Sequence, residues 1–392
     1  MSQDPVVIVA ARRTPLGAFQ GALGPVTATD LSAIASRATL GDSGLGADAI
    51  DEVLLGCVLP AGLGQAPARQ AALAAGIPSG VPCTTINKVC GSGMQATLLG
   101  HDLIAAGSAN IVLAGGMESM SNAPYLMPKA RAGYRMGHQT VLDHMFFDGL
   151  QNPYDGQMMG HFAELTADEY EFSRRDQDEF AIESVTRARD AAAQGRFDNE
   201  IAPVTVKTRK GENEVAADEG PGNANLEKIP VLRPAFREDG TVTAASSSSI
   251  SDGAASLLLM RESDANARGI AVLARIAGHA GFAHEPQWFT TAPVYAIKSL
   301  HDKLGWSVDS VDLYEVNEAF ACVTMAAMRD LGISHEKVNV NGGACALGHP
   351  IGASGARIIV TLLHALHGRG GGKGIASLCI GGGEAIAIGI EI

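Results

Sequence analysis

Thr84-Thr85-Ile86-Asn87-Lys88-Val89-Cys90-Gly91-Ser92-Gly93-Met94-Gln95 is the stretch that organises the chain. A β-branched run ends at a cysteine, glycines flank a serine, and apolar residues at helical spacing follow (Met94, Leu98, Leu99, Leu103, Ile104). This order predicts strand, tight turn, helix, with Cys90 in the turn. A thiol there faces the positive end of the helix, which favours the thiolate. At an ordinary pKa near 8.5 only about 3% of a thiol is ionised at pH 7, so a lowered pKa matters for a nucleophile. A buried cysteine acting as a small hydrophobe fits the same residues, and the rest of the chain decides between the two.

Outward from this stretch the pattern repeats. Val6–Ala10, Glu52–Gly56 and Ala109–Gly116 are apolar runs of strand length, separated by small-residue helical segments at Asp30–Thr39 and Ala66–Ala75. Alternating strands and helices predict an α/β protein with a mostly parallel sheet covered on both faces. The rhythm stops after Ser121. Residues 121–245 gain methionines, aromatics and charges, with one clear helix at Asp176–Gln194, and this excursion reads as a functional insertion or an oligomerisation arm. Thr241–Asp252 holds four consecutive serines between strand-like flanks, which predicts a packed loop presenting hydroxyls rather than a linker. The βα texture returns from Ala271, with strands expected at Val272–Ile276, Asp312–Val316 and Val338–Val340. A second helix then starts from a Ser-Gly step, Ser354-Gly355, as the first does at Ser92-Gly93, which suggests an internal duplication. Gly368–Gly374 (GRGGGKG) lacks the Ser or Thr of a phosphate-binding loop and reads as a turn.

Composition narrows the function classes. The 392 residues carry a net charge of −13, which argues against a nucleic-acid or anionic-membrane surface. Six cysteines are scattered without the pairing of a zinc site, so no metal is expected, and free thiols point to a reducing cytoplasm. No signal-peptide pattern opens the sequence and no apolar run reaches membrane-spanning length.

Chemistry-bearing residues fall where strands end, the usual place for sites in parallel sheets. They are Cys90, Asn317 in Asn317-Glu318-Ala319-Phe320-Ala321, His349 in Gly348-His349-Pro350-Ile351-Gly352-Ala353-Ser354-Gly355, and Cys379 in Cys379-Ile380-Gly381-Gly382-Gly383. A lone histidine is commonly structural, but one between glycine and proline is poorly suited to a core and well suited to act as a base. Glu318 reads as a supporting carboxylate.

NKVCGSG, NEAFA, GHPIGASGARI and CIGGG, in this order and at these separations, resemble the thiolase family across nearly the whole chain. The resemblance implies two similar βαβαβαββ halves stacked as αβαβα layers, with residues 1–120 and 246–270 in the first, 271–392 in the second, and 121–245 as a loop domain covering coenzyme A. It implies an acetyl-CoA C-acetyltransferase that joins two acyl-CoA molecules by a reversible Claisen condensation. The alternatives are a 3-ketoacyl-CoA thiolase acting on longer chains or an inactive acyl-CoA-binding relative. Cys90 would carry the acyl group, Cys379 would move the α-proton, and His349 would activate Cys90. Asn317 would hold a water in one oxyanion hole, with the N–H groups of Cys90 and Gly381 forming the other. Ser248 would meet the pantetheine, and Met159 the acyl group. Acyl-CoA is then a substrate with no permanently bound cofactor, and a homodimer or homotetramer is expected.

Three departures stand out. Where relatives often place a basic residue for the CoA phosphate, this chain has Glu219-Gly220-Pro221-Gly222, leaving Lys228, Arg233 and Lys207 as candidates. Met158 replaces a histidine common in biosynthetic members, which leaves both short and longer acyl chains open. Glu384 stands where methionine is common, and Cys345 reads as packing.

Overall fold

The computed structural model describes residues 4–209 and 211–392. Strands β1 (Val6–Arg13), β2 (Glu52–Gly56), β3 (Cys83–Ile86), β4 (Ile111–Ser119) and β5 (Ser251–Arg261) form one half; β6 (Ala274–Ala283), β7 (Leu313–Val316), β8 (Lys373–Ile380) and β9 (Glu384–Glu391) form the other. The helices that matter to the layering and the site are α1 (Ala28–Ser43), α2 (Pro67–Ala74), α3 (Ser92–Ala106), α4 (Met159–Glu169), α5 (Arg174–Ala193), α6 (Ala292–Leu304), α7 (Ala321–Leu331) and α8 (Ser354–His367).

Both halves share one topology. The first reads β3-β2-β4-β5-β1 across its sheet, the second β7-β8-β9-β6. Numbered within each half, the orders coincide once Val338 takes the missing edge, where it makes a single parallel bridge to Tyr314. Val338–Val340 is therefore a bridge and not the strand expected, because Asn339 adopts left-handed backbone at φ 47° and its side chain, in place of the main chain, meets the Val316 N–H and carbonyl. Thr241–Thr243 likewise makes one bridge, Pro234 to Thr243, in place of a strand. β1 and β6 join the halves through just two residue pairs, Val7 with Arg275 and Ile8 with Ala274.

The layering follows from burial. α3 and α8 lie in one apolar cluster with strands of both halves, through Met94, Leu98, Ile358, Leu362 and Leu366. They form the middle layer, and that explains why α8 is apolar nearly all round and buried along its length. α1 and α2 cover the outer face of the first sheet, α6 and the end of α7 that of the second. The repeated Ser-Gly step has a packing cause. A Cβ on Gly93 would stand 2.9 Å from the Ala356 nitrogen, and one on Gly355 would stand 2.4 Å from that of Met94. The two central helices thus meet backbone to backbone at their starts, at the ends of the strands where the site lies.

β4 and β5 are adjacent antiparallel strands, so the residues between Ser119 and Ser251 form the excursion. It carries α4, α5 and a hairpin, Val204–Thr208 with Gly211–Val215. Val204, Val206 and Val215 pack with the outer layer of the first half. The serine run is a packed loop: Ser247 Oγ donates to the Thr243 carbonyl at 2.7 Å, and the Ser248 N–H to Ala319 at 3.0 Å. Of GRGGGKG, residues 368–372 form the expected turn, with Gly370, Gly371 and Gly372 at positive φ, while Lys373 and Gly374 already belong to β8. Among the described residues, no helix is long and apolar enough to cross a membrane.

Candidate active site

Cys90 sits between β3 and α3 in a turn fastened from both sides. Asn87 Oδ1 accepts from the Val89 N–H at 3.0 Å, and Ser92 Oγ accepts from Lys88 N–H at 2.8 Å while donating to the Val89 carbonyl at 2.6 Å. Val89 is held at φ 46°, left-handed backbone that a β-branched residue rarely adopts. This bend turns Cys90 away from the strand direction, and its own N–H and that of Gly381 point at the sulfur.

Those two N–H groups lower the thiol pKa, but enclosure raises it more, to about 11. The expected low-pKa thiol is therefore corrected: at rest Cys90 is a neutral thiol. The helix starts two residues later, at Ser92.

A cavity of about 210 Å³ opens beside Cys90. Its lining includes His349, Ser248, Met159, Gly381, Phe289 and Phe320, drawn from the serine loop, the excursion and the second half. His349 is buried, and Ser354 Oγ lies 2.5 Å from its Nδ1 and donates to the Pro350 carbonyl at 2.9 Å. Where that hydroxyl gives its proton to the carbonyl, Nδ1 carries the ring proton and Nε2 keeps its lone pair. Nε2 is buried without a protein partner. Burial, with the Arg357 charge behind it, lowers the imidazole pKa to about 3, which keeps the ring neutral.

Asn317, at the end of β7, has both side-chain amide atoms buried and unpartnered. Glu318 next to it is the reverse case. It accepts from Ser184 Oγ at 2.7 Å, Asn339 Nδ2 at 2.8 Å and the Cys345 N–H at 3.0 Å, so it ties the excursion to the second half. Cys345 is buried beside it as packing. Cys379 ends β8 fully buried, packed with Phe289 and Phe320 beneath the cavity. Burial and the neighbouring Cys90 push its thiol well above the ordinary range.

Lys228 is not brought to this cavity. It lines a neighbouring one of about 350 Å³ with Ser249, Ala244 and Ala245, across the serine loop from Ser248. Lys207 lies on the exposed hairpin beside Glu212 at 4.0 Å, and Arg233 is exposed.

Sequence reasoning missed several supporting residues. Glu384 pairs with Lys88, joining the turn after β8 to the Cys90 turn. Glu118 is buried and accepts from the N–H groups of Val58, Leu59 and Gly352, fixing the histidine loop to the first half. Its carboxyl is raised by burial to about 7. Ser354 was visible as part of the Ser-Gly repeat but not as the partner of His349.

A half-buried thiol with two N–H groups aimed at it, a neutral imidazole opening on the same cavity and a second buried thiol behind define an enzyme that carries an acyl group on sulfur. Comparison with known proteins agrees. The sequence matches the N-terminal domain of thiolase over residues 6–263 and the C-terminal domain of thiolase over residues 270–392. It is 50% identical to an acetyl-CoA acetyltransferase of Pseudomonas aeruginosa over 98% of each chain, and 48% identical to one of Rhizobium meliloti over the full length of both. A probable acetyl-CoA acyltransferase of Staphylococcus aureus is 47% identical over 97% of this chain and 98% of its own. The crystal structure of the Acat5 thiolase from Ascaris suum in complex with coenzyme A superposes with a TM-score of 0.94 at 41% identity, covering 99% of both chains. The chain belongs to the thiolase family, and it is an acyltransferase.

Proposed function

We propose that this chain is an acetyl-CoA C-acetyltransferase, joining two acetyl-CoA molecules to acetoacetyl-CoA and cleaving 3-ketoacyl-CoA in reverse. The observation that carries the reading is the shared cavity of Cys90, with its two N–H groups, and the unpartnered His349 Nε2.

With Cys90 neutral at rest, attack on the thioester carbonyl goes with proton transfer to His349 Nε2. The oxyanion that forms sits between the Cys90 and Gly381 N–H groups, and His349 passes the proton to the departing CoA sulfur. This leaves acetyl-Cys90 and free CoA. Cys379, a thiol at rest, first releases its proton to water, and its thiolate then takes a proton from the methyl of a second acetyl-CoA. The resulting carbanion attacks the acyl carbon, and Cys90 leaves as thiolate and regains a proton. The oxygen of the second thioester would be held by a water on Asn317. Thiolysis is the same path reversed.

Ser248 and the main chain of the serine loop would receive the pantetheine arm, with Met159 against the acyl group. The Lys228 cavity across that loop suits the anionic end of CoA. In this reading residues 121–245 act as the domain that covers CoA. The six free cysteines suit a reducing cytoplasm. The exposed edge of β3 and apolar side chains such as Tyr125, Met127 and Met136 suit a homo-oligomer.

A wider acyl range has its own support. Met158, Met159, Phe236 and Ile351 make the cavity wall apolar and, through the methionines, adaptable. Thiolysis measured on acetoacetyl-CoA and on longer 3-ketoacyl-CoAs tests both readings. Activity on the four-carbon substrate with appreciable turnover at six carbons is expected. No turnover at four carbons removes the main reading, and strict rejection of six carbons removes the wider one.

A further inference from the structure

Far from the cavity, on the outer stretch of α3 and β6, three side chains converge that the acyl chemistry does not use. His101 Nδ1 lies 2.9 Å and His279 Nε2 3.0 Å from the same oxygen of Asp102. One donor atom from each of the three lies within 4.8 Å of the others, and no comparable group of His, Cys, Asp or Glu occurs among the described residues. The imidazole planes are nearly perpendicular, at 84° with centroids 5.3 Å apart, so the rings do not stack on one another. Both imidazoles are about four-fifths shielded, at 19% and 21% side-chain exposure, whereas Asp102 is at 53%. Two rings are thus held by their surroundings, and the third side of the cluster faces solvent.

We propose that His101, Asp102 and His279 form a binding site for a borderline first-row divalent cation of the Zn²⁺ class. Two imidazole nitrogens and one carboxylate oxygen match Zn²⁺, Co²⁺ or Ni²⁺, whereas Ca²⁺ and Mg²⁺ ask for oxygen ligands. Such an ion bonds at about 2.0–2.2 Å, a distance that fits between donors this close. In the metal-free protein each imidazole turns a ring nitrogen toward Asp102. On binding, those two nitrogens present lone pairs to the ion, and any proton they held moves to the far ring nitrogen or to solvent. Asp102 neutralises one of the two charges, and water fills the exposed positions. Lys303, whose ammonium donates to the His279 carbonyl at 2.9 Å, opposes the cation and sets a limit on affinity.

The ligands come from different halves. α3 begins at the Cys90 turn, and β6 is the strand through which the second half meets the first. The bound ion would therefore cross-link the two halves at the far end of the helix that follows the nucleophile.

The test is titration of the full chain with Co²⁺ and with Zn²⁺ by calorimetry, with visible spectra for the cobalt form. One equivalent per chain is expected, with no thiolate-to-cobalt charge-transfer band, which separates this site from the cysteines. H279N and D102N should each weaken binding at least about tenfold while retaining wild-type thiolysis, which also shows that they fold. Undiminished affinity in both variants, a thiolate band, or no saturable binding overturns the proposal. Should H279N fail to fold, the exposed D102N change alone decides between the outcomes.

Discussion

The two halves of this chain share a strand order and a central helix, yet they supply unlike chemistry. In the first half the path from β3 to α3 makes a tight turn with Cys90 and a left-handed residue before it. In the second half the equivalent edge strand has shrunk to one bridge, and the place beside the start of α8 is taken by the His349 loop. The second cysteine comes from elsewhere, the last turn-side residues of β8. A duplicated frame thus provides two independent loops at one end of the molecule. Difference between them, and not symmetry, brings a thiol and an imidazole to one cavity.

The largest test of this division concerns the thiols. Cys90→Ala should abolish both the acetyl adduct seen by intact mass after incubation with acetyl-CoA and the condensation rate. Cys379→Ser should keep the adduct while condensation falls by roughly 10²–10⁴, the usual worth of a general acid–base group. Normal condensation in the serine variant would move the base to another residue.

Next comes the hydroxyl behind the imidazole. Ser354→Ala leaves His349 Nδ1 without its buried partner and frees the ring to choose its tautomer. We expect kcat to fall by about 10–100-fold, the scale of losing a partner that orients a ligand or base, with KM little changed. An equal loss in Ser354→Thr as in Ser354→Ala would show that volume matters there and not the hydrogen bond.

The pH dependence of the free enzyme sharpens the point about Cys90. Its thiol is raised to about 11, above the value of about 8.5 in an unfolded chain. The native state therefore holds this proton longer, and its contribution to stability is complete below about pH 8.5 and is lost as pH rises toward 11. Alkylation by iodoacetamide without substrate should still be accelerating at pH 9. A plateau already reached below pH 7 would mean a preformed thiolate–imidazolium pair.

The smallest effect belongs to the Lys88–Glu384 pair. At 27% and 40% side-chain exposure it is screened by solvent, and such pairs contribute modestly. Glu384→Gln should lower kcat less than about tenfold and make it less sensitive to salt. The charge-swapped double variant should recover part of the loss, and no recovery would indicate that the two side chains act separately.

How far the site could be read in advance follows sequence distance. The Cys90 turn and the strand–helix alternation were legible because turn chemistry and periodicity are local. The roles of Asn317 and Cys379 rested on the family resemblance, and the orphaned amide of Asn317 supplies a physical reason beside it. The Lys88–Glu384 pair spans 296 residues and the Glu118–Gly352 bond 234, separations at which no periodic signal survives. The Cys90 thiol follows the same rule: the helix end is visible in the sequence, but the enclosure that raises the thiol pKa is assembled from distant segments. Val338–Val340 reads as a strand because apolar composition does not reveal the left-handed backbone at Asn339.

Val89 carries a consequence of its own. A valine in left-handed backbone costs on the order of 1–3 kcal/mol, and glycine would adopt the same bend freely. Val89→Gly would give a hinge where there is now a detent: the native bend would lose its steric opposition, but so would every competing one. The branched side chain thus leaves the turn few alternatives. Thermal stability and catalytic rate are two readings of that one dihedral angle, and they need not move together.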